Sequence, residues 1–147
     1  MPFVLDASVT LAWVLAEEQD AVVQRAAQLL ETGQETGQVT GVETGPDRAL
    51  VPELWWYEVR SILLVSERRG RISAAGTAQF LKSLANLRIE IDTGRDDQPM
   101  LALAREHKLT AYDAAYLALA IRERLPLATL DGALQAAARS SGIRLLA

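Results

Sequence analysis

The stretch FVLDASVTLAWVLA (residues 3–16) decides the fold class. Its first residues form a short apolar run that ends in an acid, Asp6, which is typical of a buried β-strand. Apolar residues then recur at helical spacing through residues 8–16, which predicts a helix directly after the strand. Strands that alternate with helices along a chain are typical of an α/β fold with a mostly parallel sheet.

The same alternation continues to the end of the chain. Its 147 residues are enough for one domain that buries roughly two thirds of its unfolded surface. We therefore predict a single α/β domain over residues 1–147, with a small, mostly parallel β-sheet flanked by α-helices. Further strands are predicted at 49–52, 88–92, 126–130 and 143–146, and further helices at 20–31, 52–70, 73–87, 97–109, 110–125 and 131–142.

A Thr-Gly-rich segment interrupts this pattern at residues 32–46. Thr-Gly recurs every four residues through it, without an apolar period. This composition predicts a flexible surface insertion. A phosphate-binding loop is excluded because Pro46, and no Lys, follows the last glycine, Gly45.

The composition excludes several kinds of site. The chain has no cysteine and one histidine, which excludes disulfides and thiolate sites and argues against zinc chemistry. The net charge of −4 means that any nucleic-acid site must be local. No apolar stretch is long enough to span a membrane, and Asp6 interrupts the apolar run at the N-terminus. We expect a cytoplasmic protein.

Four acids are expected to lie near one edge of the sheet. Asp6 and Asp131 each end a predicted strand, and the carboxyl ends of parallel strands meet at one edge. Glu58 and Asp113 lie in the first turns of their helices, whose N-termini approach the same edge. Two carboxylates about 4 Å apart repel by roughly 4 kcal/mol at an effective dielectric of about 20, so such a cluster needs a cation or shared protons. Oxygen ligands favour Mg²⁺ or Mn²⁺, which suit phosphodiester hydrolysis.

A simpler interpretation exists for each acid. Thr110 and Asp113 have the spacing of a capping box, and Asp6 and Asp131 have the positions of helix N-caps. Glu58 could lie on a solvated helix face. Capping and metal binding are compatible, because a helix N-terminus can orient a ligand carboxylate.

The sequence resembles a known family at these residues. The matching stretches are VLDASV (4–9), VPELWWYEVRSILL (51–64), LTAYDAAYLALA (109–120), LATLDGAL (127–134) and GIRLL (142–146). In this order and spacing they are similar to PIN-domain ribonucleases, specifically the VapC-type toxins of bacterial toxin–antitoxin pairs. The resemblance covers nearly the whole chain apart from the Thr-Gly-rich segment, and it implies a PIN-like fold.

The resemblance also implies a catalytic, metal-binding pocket. Its acids would be Asp6, Glu58, Asp113 and Asp131, holding Mg²⁺ or Mn²⁺ and activating a water that hydrolyses RNA. Ser8 and Thr129 would order the acids or a bound water. The implied partners are an RNA substrate, with tRNA and rRNA as candidates, a cognate VapB-like antitoxin, and a second copy in a homodimer. One departure is Ser61, where many relatives carry Asn.

Three alternatives to a ribonuclease stay open from the sequence. LDASVT (5–10) weakly resembles the motif of haloacid-dehalogenase-like phosphatases, but Ser8 replaces their second acid and no convincing Lys precedes Asp96. A receiver-like phospho-acceptor lacks its adjacent acids and its Lys. A PIN-like binding module without activity would keep all four acids, so the sequence does not separate it from an enzyme.

Two further expectations concern aromatic residues and the histidine. Adjacent helical residues point about 100° apart, so Trp55 and Trp56 are not both expected in one core, and one of them could lie at a partner interface. Trp13 is expected in the core. His107, next to Lys108 at a helix end, is expected at the surface without a chemical role.

Overall fold

Strands and helices alternate along the chain as the pattern predicts. The computed structural model describes residues 1–18, 20–32 and 46–147. The alternation of strands and helices confirms the predicted α/β fold class. None of the described helices has both the length and the apolar character that crossing a bilayer requires. The elements are β1 (Phe3–Leu5), α1 (Ala7–Leu15), α2 (Ala21–Thr32), β2 (Ala49–Pro52), α3 (Glu53–Arg68), α4 (Ala74–Leu84), β3 (Ile89–Asp92), α5 (Asp97–His107), α6 (Ala111–Glu123), β4 (Leu127–Ala128) and α7 (Gly132–Ser140).

The described strands form one parallel sheet in the order β3-β2-β1-β4. Val4 of β1 pairs with Leu50 of β2 on one side and with Leu127 of β4 on the other. Ala49 of β2 pairs with Ile89 of β3. Because every pair is parallel, the carboxyl ends of all four strands lie at one edge, and residues that follow β1 and β4 are neighbours there.

The prediction of a final strand at 143–146 is wrong. The structure contains there a single parallel bridge between Leu127 and Leu145. The partner strand β4 is itself only two residues long, against the predicted 126–130. The last pair of the ladder is Leu5 with Ala128, and the hydroxyl of the next residue, Thr129, donates to Asp6.

The predicted Thr-Gly-rich insertion lies almost entirely outside the described residues. Helix α2 runs to Thr32, the first residue of that segment, and Pro46 is described at its far end. Residues 33–45 lie outside the described residues, so the prediction for them is not tested.

The core is formed by the sheet and the helices on both of its sides. The strands β1 and β2 are buried almost throughout, and α6 presents Tyr116, Leu117 and Ala120 to them. Helix α6 also packs against α5 on its other side, which explains why its sequence is apolar nearly all round. A helix buried on two sides needs apolar residues on both.

The tryptophans behave as their spacing predicts. Trp55 is buried and its indole Nε1 donates to the hydroxyl of Thr10 at 3.0 Å, whereas the side chain of Trp56 is exposed. Trp13 packs against the core and donates to the Val23 carbonyl at 2.9 Å. These bonds attach α3 and α2 to α1.

The prediction for His107 is wrong. Its side chain is only 11% exposed. Its Nε2 lies 3.3 Å from the hydroxyl of Ser141, which follows α7. The end of α5 therefore packs beside the end of α7, a long-range contact that local sequence does not show.

Two adjacent leucines of α3 test which face of this helix packs against the core. Leu63 is fully buried, and Leu64 is 50% exposed. We expect Leu63→Ala to lower the free energy of unfolding by about 2–5 kcal/mol, because it leaves a cavity in the core. Leu64→Ala, the matched control, should change it by less than about 0.5 kcal/mol. Urea unfolding measures both, and equal effects would contradict the assignment of the buried face.

Candidate active site

The four predicted acids come from separate segments and lie at the sheet edge that the strand ends share. Asp6 follows β1 and Asp131 follows β4, and each is the residue before a helix. Glu58 lies in the second turn of α3, which continues directly from β2. Asp113 lies in the first turn of α6. We call these four residues the acidic cluster.

Two hydroxyl groups hold the carboxylate of Asp6. The hydroxyls of Ser8 and Thr129 donate to its Oδ2 at 2.6 and 2.7 Å. The same hydroxyls accept the backbone N–H groups of Leu130 and Asp131, each at 3.0 Å. The four bonds form two chains from backbone amide through hydroxyl to one carboxylate oxygen. Asp6 is thereby fixed in a buried position, although its side chain does not cap α1.

Asp131 caps its helix and also belongs to the cluster. Its Oδ1 accepts the N–H of Leu134 at 2.8 Å, so the capping interpretation is right for this residue. Its charge also raises the pKa of both Asp6 and Asp113. Capping and proximity to the other acids are therefore not alternatives here.

Asp113 is placed by the first turn of α6. Its backbone N–H donates to the hydroxyl of Thr110 at 3.1 Å, one half of the predicted capping box. This bond fixes the turn from which the carboxylate of Asp113 extends toward Asp6 and Asp131.

Glu58 does not lie on a solvated face. Its side chain is half-buried, and its Oε1 accepts the hydroxyl of Tyr116 at 2.6 Å. Tyr116 is fully buried on α6. Burial and the bond to Glu58 raise the pKa of Tyr116 above its usual range, so the phenol keeps its proton.

The sequence analysis missed Tyr116. Its position within an apolar helix indicates a core residue, and its ring does lie in the core. The available signal was the hydroxyl, since a buried tyrosine hydroxyl needs a hydrogen-bond partner. Tyr116 also follows Asp113 by three residues, which places the two on neighbouring parts of one helix surface.

The electrostatics show that the acids are close to one another. Burial is the largest cause of the raised pKa values of Asp6, Glu58 and Asp113. Repulsion between like charges raises these pKa values further. The charge of Asp131 raises the pKa of Asp6, and the charges of Asp6 and Asp113 raise the pKa of Glu58. Hydrogen bonds from Ser8 and Thr129 oppose this effect at Asp6. The ionised cluster is therefore unfavourable unless positive charge reaches it.

The donor set fits a hard divalent cation in its chemistry. It consists of carboxylates, with hydroxyls behind them, and contains no nitrogen or sulfur ligand. In the part of the chain that the structure describes, however, no three acidic or histidine side chains are close enough together to hold a metal ion. Binding by three acids therefore requires the carboxylates to approach one another.

The comparisons with known proteins agree with this architecture. The profile of the PIN domain matches residues 3–140. The chain belongs to the PIN domain family. PIN domains are generally nucleases, enzymes that hydrolyse nucleic acids. This membership leaves the phosphatase and phospho-acceptor alternatives without support.

A solved structure shares the fold. The crystal structure of PAE2754 from Pyrobaculum aerophilum superposes with a TM-score of 0.66 at 21% sequence identity, over 93% of this chain and 84% of that chain. At this identity the similarity is evidence for the fold alone. No curated protein has significant sequence similarity to the chain.

The raised pKa of Asp6 predicts how stability depends on pH without divalent cations. An acid whose pKa is higher in the folded state loses stabilisation as pH rises from its unfolded pKa, near 4, through its folded pKa. Asp6→Asn removes the charge, while an amide oxygen can still accept both hydroxyls. In EDTA at pH 7 we expect it to raise the Tm by roughly 2–4 °C, the effect of about 1 kcal/mol in a domain of this size.

The control is the same comparison at pH 4.5, measured by calorimetry. The gain should shrink there because the wild-type carboxyl is increasingly protonated. A variant that is less stable than wild type at both pH values would show that the Asp6 charge does not oppose folding.

Proposed function

We propose that the protein is a Mg²⁺- or Mn²⁺-dependent endoribonuclease and the toxin component of a toxin–antitoxin system. The observation that carries this proposal is the acidic cluster at the parallel sheet edge of a PIN domain. Its members come from four segments of the chain, and three of them have pKa values raised by burial and mutual charge. A protein gains nothing in stability from such a cluster, which favours a role in binding positive charge.

In the proposed site, Asp6 and Asp113 are the principal metal ligands, and Asp131 and Glu58 complete the ring of acids or act through water. A bound divalent cation would offset the carboxylate charges, lower the pKa of a water and stabilise negative charge on the leaving oxygen. Ser8 and Thr129 keep Asp6 oriented through the bonds to its Oδ2.

Glu58 is the acid that we propose as proton acceptor. Burial and like charge raise its pKa, which makes the carboxylate a stronger proton acceptor than an ordinary glutamate. Asp131, whose Oδ1 accepts the N–H of Leu134, is the alternative proton acceptor. The attacking water would give one proton to Glu58 as the water oxygen bonds to phosphorus. The bond from phosphorus to the ribose oxygen breaks, and the ribose oxygen takes a proton from solvent and leaves as a hydroxyl.

Cleavage of RNA tests this proposal. Labelled total RNA, containing both tRNA and rRNA, is incubated with the protein in Mg²⁺, in Mn²⁺ and in EDTA. We expect discrete products only with a divalent cation. Asp6→Asn should lower the rate about 100-fold or more, because such an ion supplies several kcal/mol of transition-state stabilisation.

The matched control is Asp20→Asn. Asp20 is exposed, and its Oδ1 accepts the N–H of Val22 at 3.1 Å, a bond that an amide oxygen can replace. This variant should cleave like wild type. Cleavage that persists in EDTA or in Asp6→Asn would contradict the proposed mechanism. A folded protein that binds Mn²⁺ but cleaves no RNA would instead favour a PIN-like binding module.

An antitoxin surface is proposed on α3. Leu64 and Val65, on the outer side of α3, are 50% and 38% exposed, and Trp56 and Ile62, on its two flanks, are 42% and 43% exposed. Clusters of exposed large apolar side chains on a soluble protein mark interaction sites. Because Glu58 lies on the same helix, a partner that covers this face also approaches the acidic cluster. We propose that the partner is a cognate VapB-like antitoxin.

A second copy of the chain is proposed at a different surface. An apolar groove of about 550 Å³ lies between α5, α6 and the start of α3, with Leu54, Met100 and Leu119 among its walls. Leu101 and Tyr112 are exposed large side chains of α5 and α6, 38% and 64% exposed. We propose a two-fold homodimer in which each groove receives the partner's exposed side chains. An RNA substrate implies that this dimer acts in the cytoplasm.

One substitution that introduces a charge on each surface distinguishes the two proposed interfaces. We expect Leu64→Glu to weaken antitoxin binding at least about tenfold, because it places a charge in an apolar interface. It should leave the protein dimeric. Leu101→Glu should shift the dimer toward monomer, and each chain should still bind antitoxin with the wild-type affinity. Light scattering after size exclusion and calorimetric titration measure the two properties, and each variant is the control for the other. The reverse pattern would exchange the two assignments.

A further inference from the structure

Tyr116 connects the two helices that carry Glu58 and Asp113. It is fully buried on α6, one turn after Asp113. Its hydroxyl donates to Oε1 of Glu58 on α3 at 2.6 Å. This contact joins residues 58 positions apart in the chain and lies within the acidic cluster.

Packing alone does not account for this hydroxyl. A phenylalanine would fill the same core position without a polar group to satisfy. The hydroxyl is instead bonded to a carboxylate that is already under the influence of Asp6 and Asp113. A short bond of this kind to a charged acceptor is stronger than a neutral one.

The bond restricts how Glu58 is presented. A glutamate side chain has three rotatable bonds, and ordering it costs conformational entropy. Holding Oε1 on Tyr116 settles the orientation of the carboxylate before any ligand arrives and leaves Oε2 for the cluster. Preorganisation of this kind is what residues behind metal ligands supply.

We propose that Tyr116 is a positioning residue that acts through Glu58. Its phenol holds one carboxylate oxygen of Glu58 so that the other faces the acidic cluster, and this increases the affinity for a divalent cation and the rate of hydrolysis. The inference rests on the proposed function, because it needs the acidic cluster to bind a cation.

The test uses Tyr116→Phe, which removes only the hydroxyl. We expect the Mn²⁺ dissociation constant, measured by electron paramagnetic resonance of free Mn²⁺, to rise about tenfold or more, as for other residues behind metal ligands. The kcat for RNA cleavage should fall and the KM for RNA should stay near that of wild type. The control is Tyr57→Phe, the same change at the exposed residue next to Glu58, which should keep the wild-type Mn²⁺ affinity.

A double-mutant cycle separates positioning from packing. In a Glu58→Ala background, Tyr116→Phe should cause no further loss of Mn²⁺ affinity, because the side chain through which it acts is gone. An equal loss in both backgrounds would assign Tyr116 a structural role and overturn the inference. A single Tyr116→Phe variant with wild-type Mn²⁺ affinity would do the same.

The wild-type titration distinguishes this failure from failure of the proposed function. If wild type binds no Mn²⁺, the metal-dependent function fails and the inference falls with it. If wild type binds Mn²⁺ and Tyr116→Phe binds equally well, only the inference is overturned.

Discussion

The buried carboxylate of Asp6 is the constraint on which the site depends. It follows β1, which has β2 on one side and β4 on the other, so it lies at the centre of the sheet edge. Burial of a carboxylate costs free energy unless hydrogen bonds compensate it. The hydroxyls of Ser8 and Thr129 supply part of that compensation, and the backbone N–H of Asp131 is bound to one of them. The start of α7 is thereby held beside the end of β1.

The charges of the acids act on one another, although among the described residues no three of them are close enough together to hold a metal ion. Burial and like charge raise the pKa of Asp6, Glu58 and Asp113, and the same charges favour wider spacing. Three of the acids are also held by local bonds: Asp6 by hydroxyls, Glu58 by a phenol, and Asp131 by its helix cap. A divalent cation would reverse the sign of the interaction, so that closer approach of the carboxylates becomes favourable. Binding of a cation would therefore be coupled to a closer approach of the four carboxylates.

Much of the fold was predictable because its signals are local. A short apolar run that ends at Asp6, followed by a helical period, predicts a strand and a helix without knowledge of any distant residue. Features that depend on two distant segments were not predictable in this way. Three contacts of this kind join residues far apart in the chain: the bond from Tyr116 to Glu58, the contact of His107 with Ser141 and the bond from Thr129 to Asp6. The positions of Asp6 and Asp131 were inferred from strand ends and those of Glu58 and Asp113 from helix starts, whereas Tyr116, which orients Glu58, has no sequence pattern that marks this role.

Helix α3 contributes residues to the core, to the acidic cluster and to the exposed surface, and Val65 follows Glu58 by seven residues, which places the two on the same side of the helix. Trp55, Val59 and Leu63 face the core, Glu58 faces the acidic cluster, and Leu64 and Val65 face solvent. Because Glu58 is bonded to α6 through Tyr116, its position depends on how α3 and α6 pack against each other. A partner bound to the outer face of α3 therefore need not enter the acidic cluster to affect it. A small shift of α3 relative to α6 would lengthen the 2.6 Å bond and release the carboxylate of Glu58. If the proposed antitoxin binds α3, this bond would couple its binding to the position of Glu58.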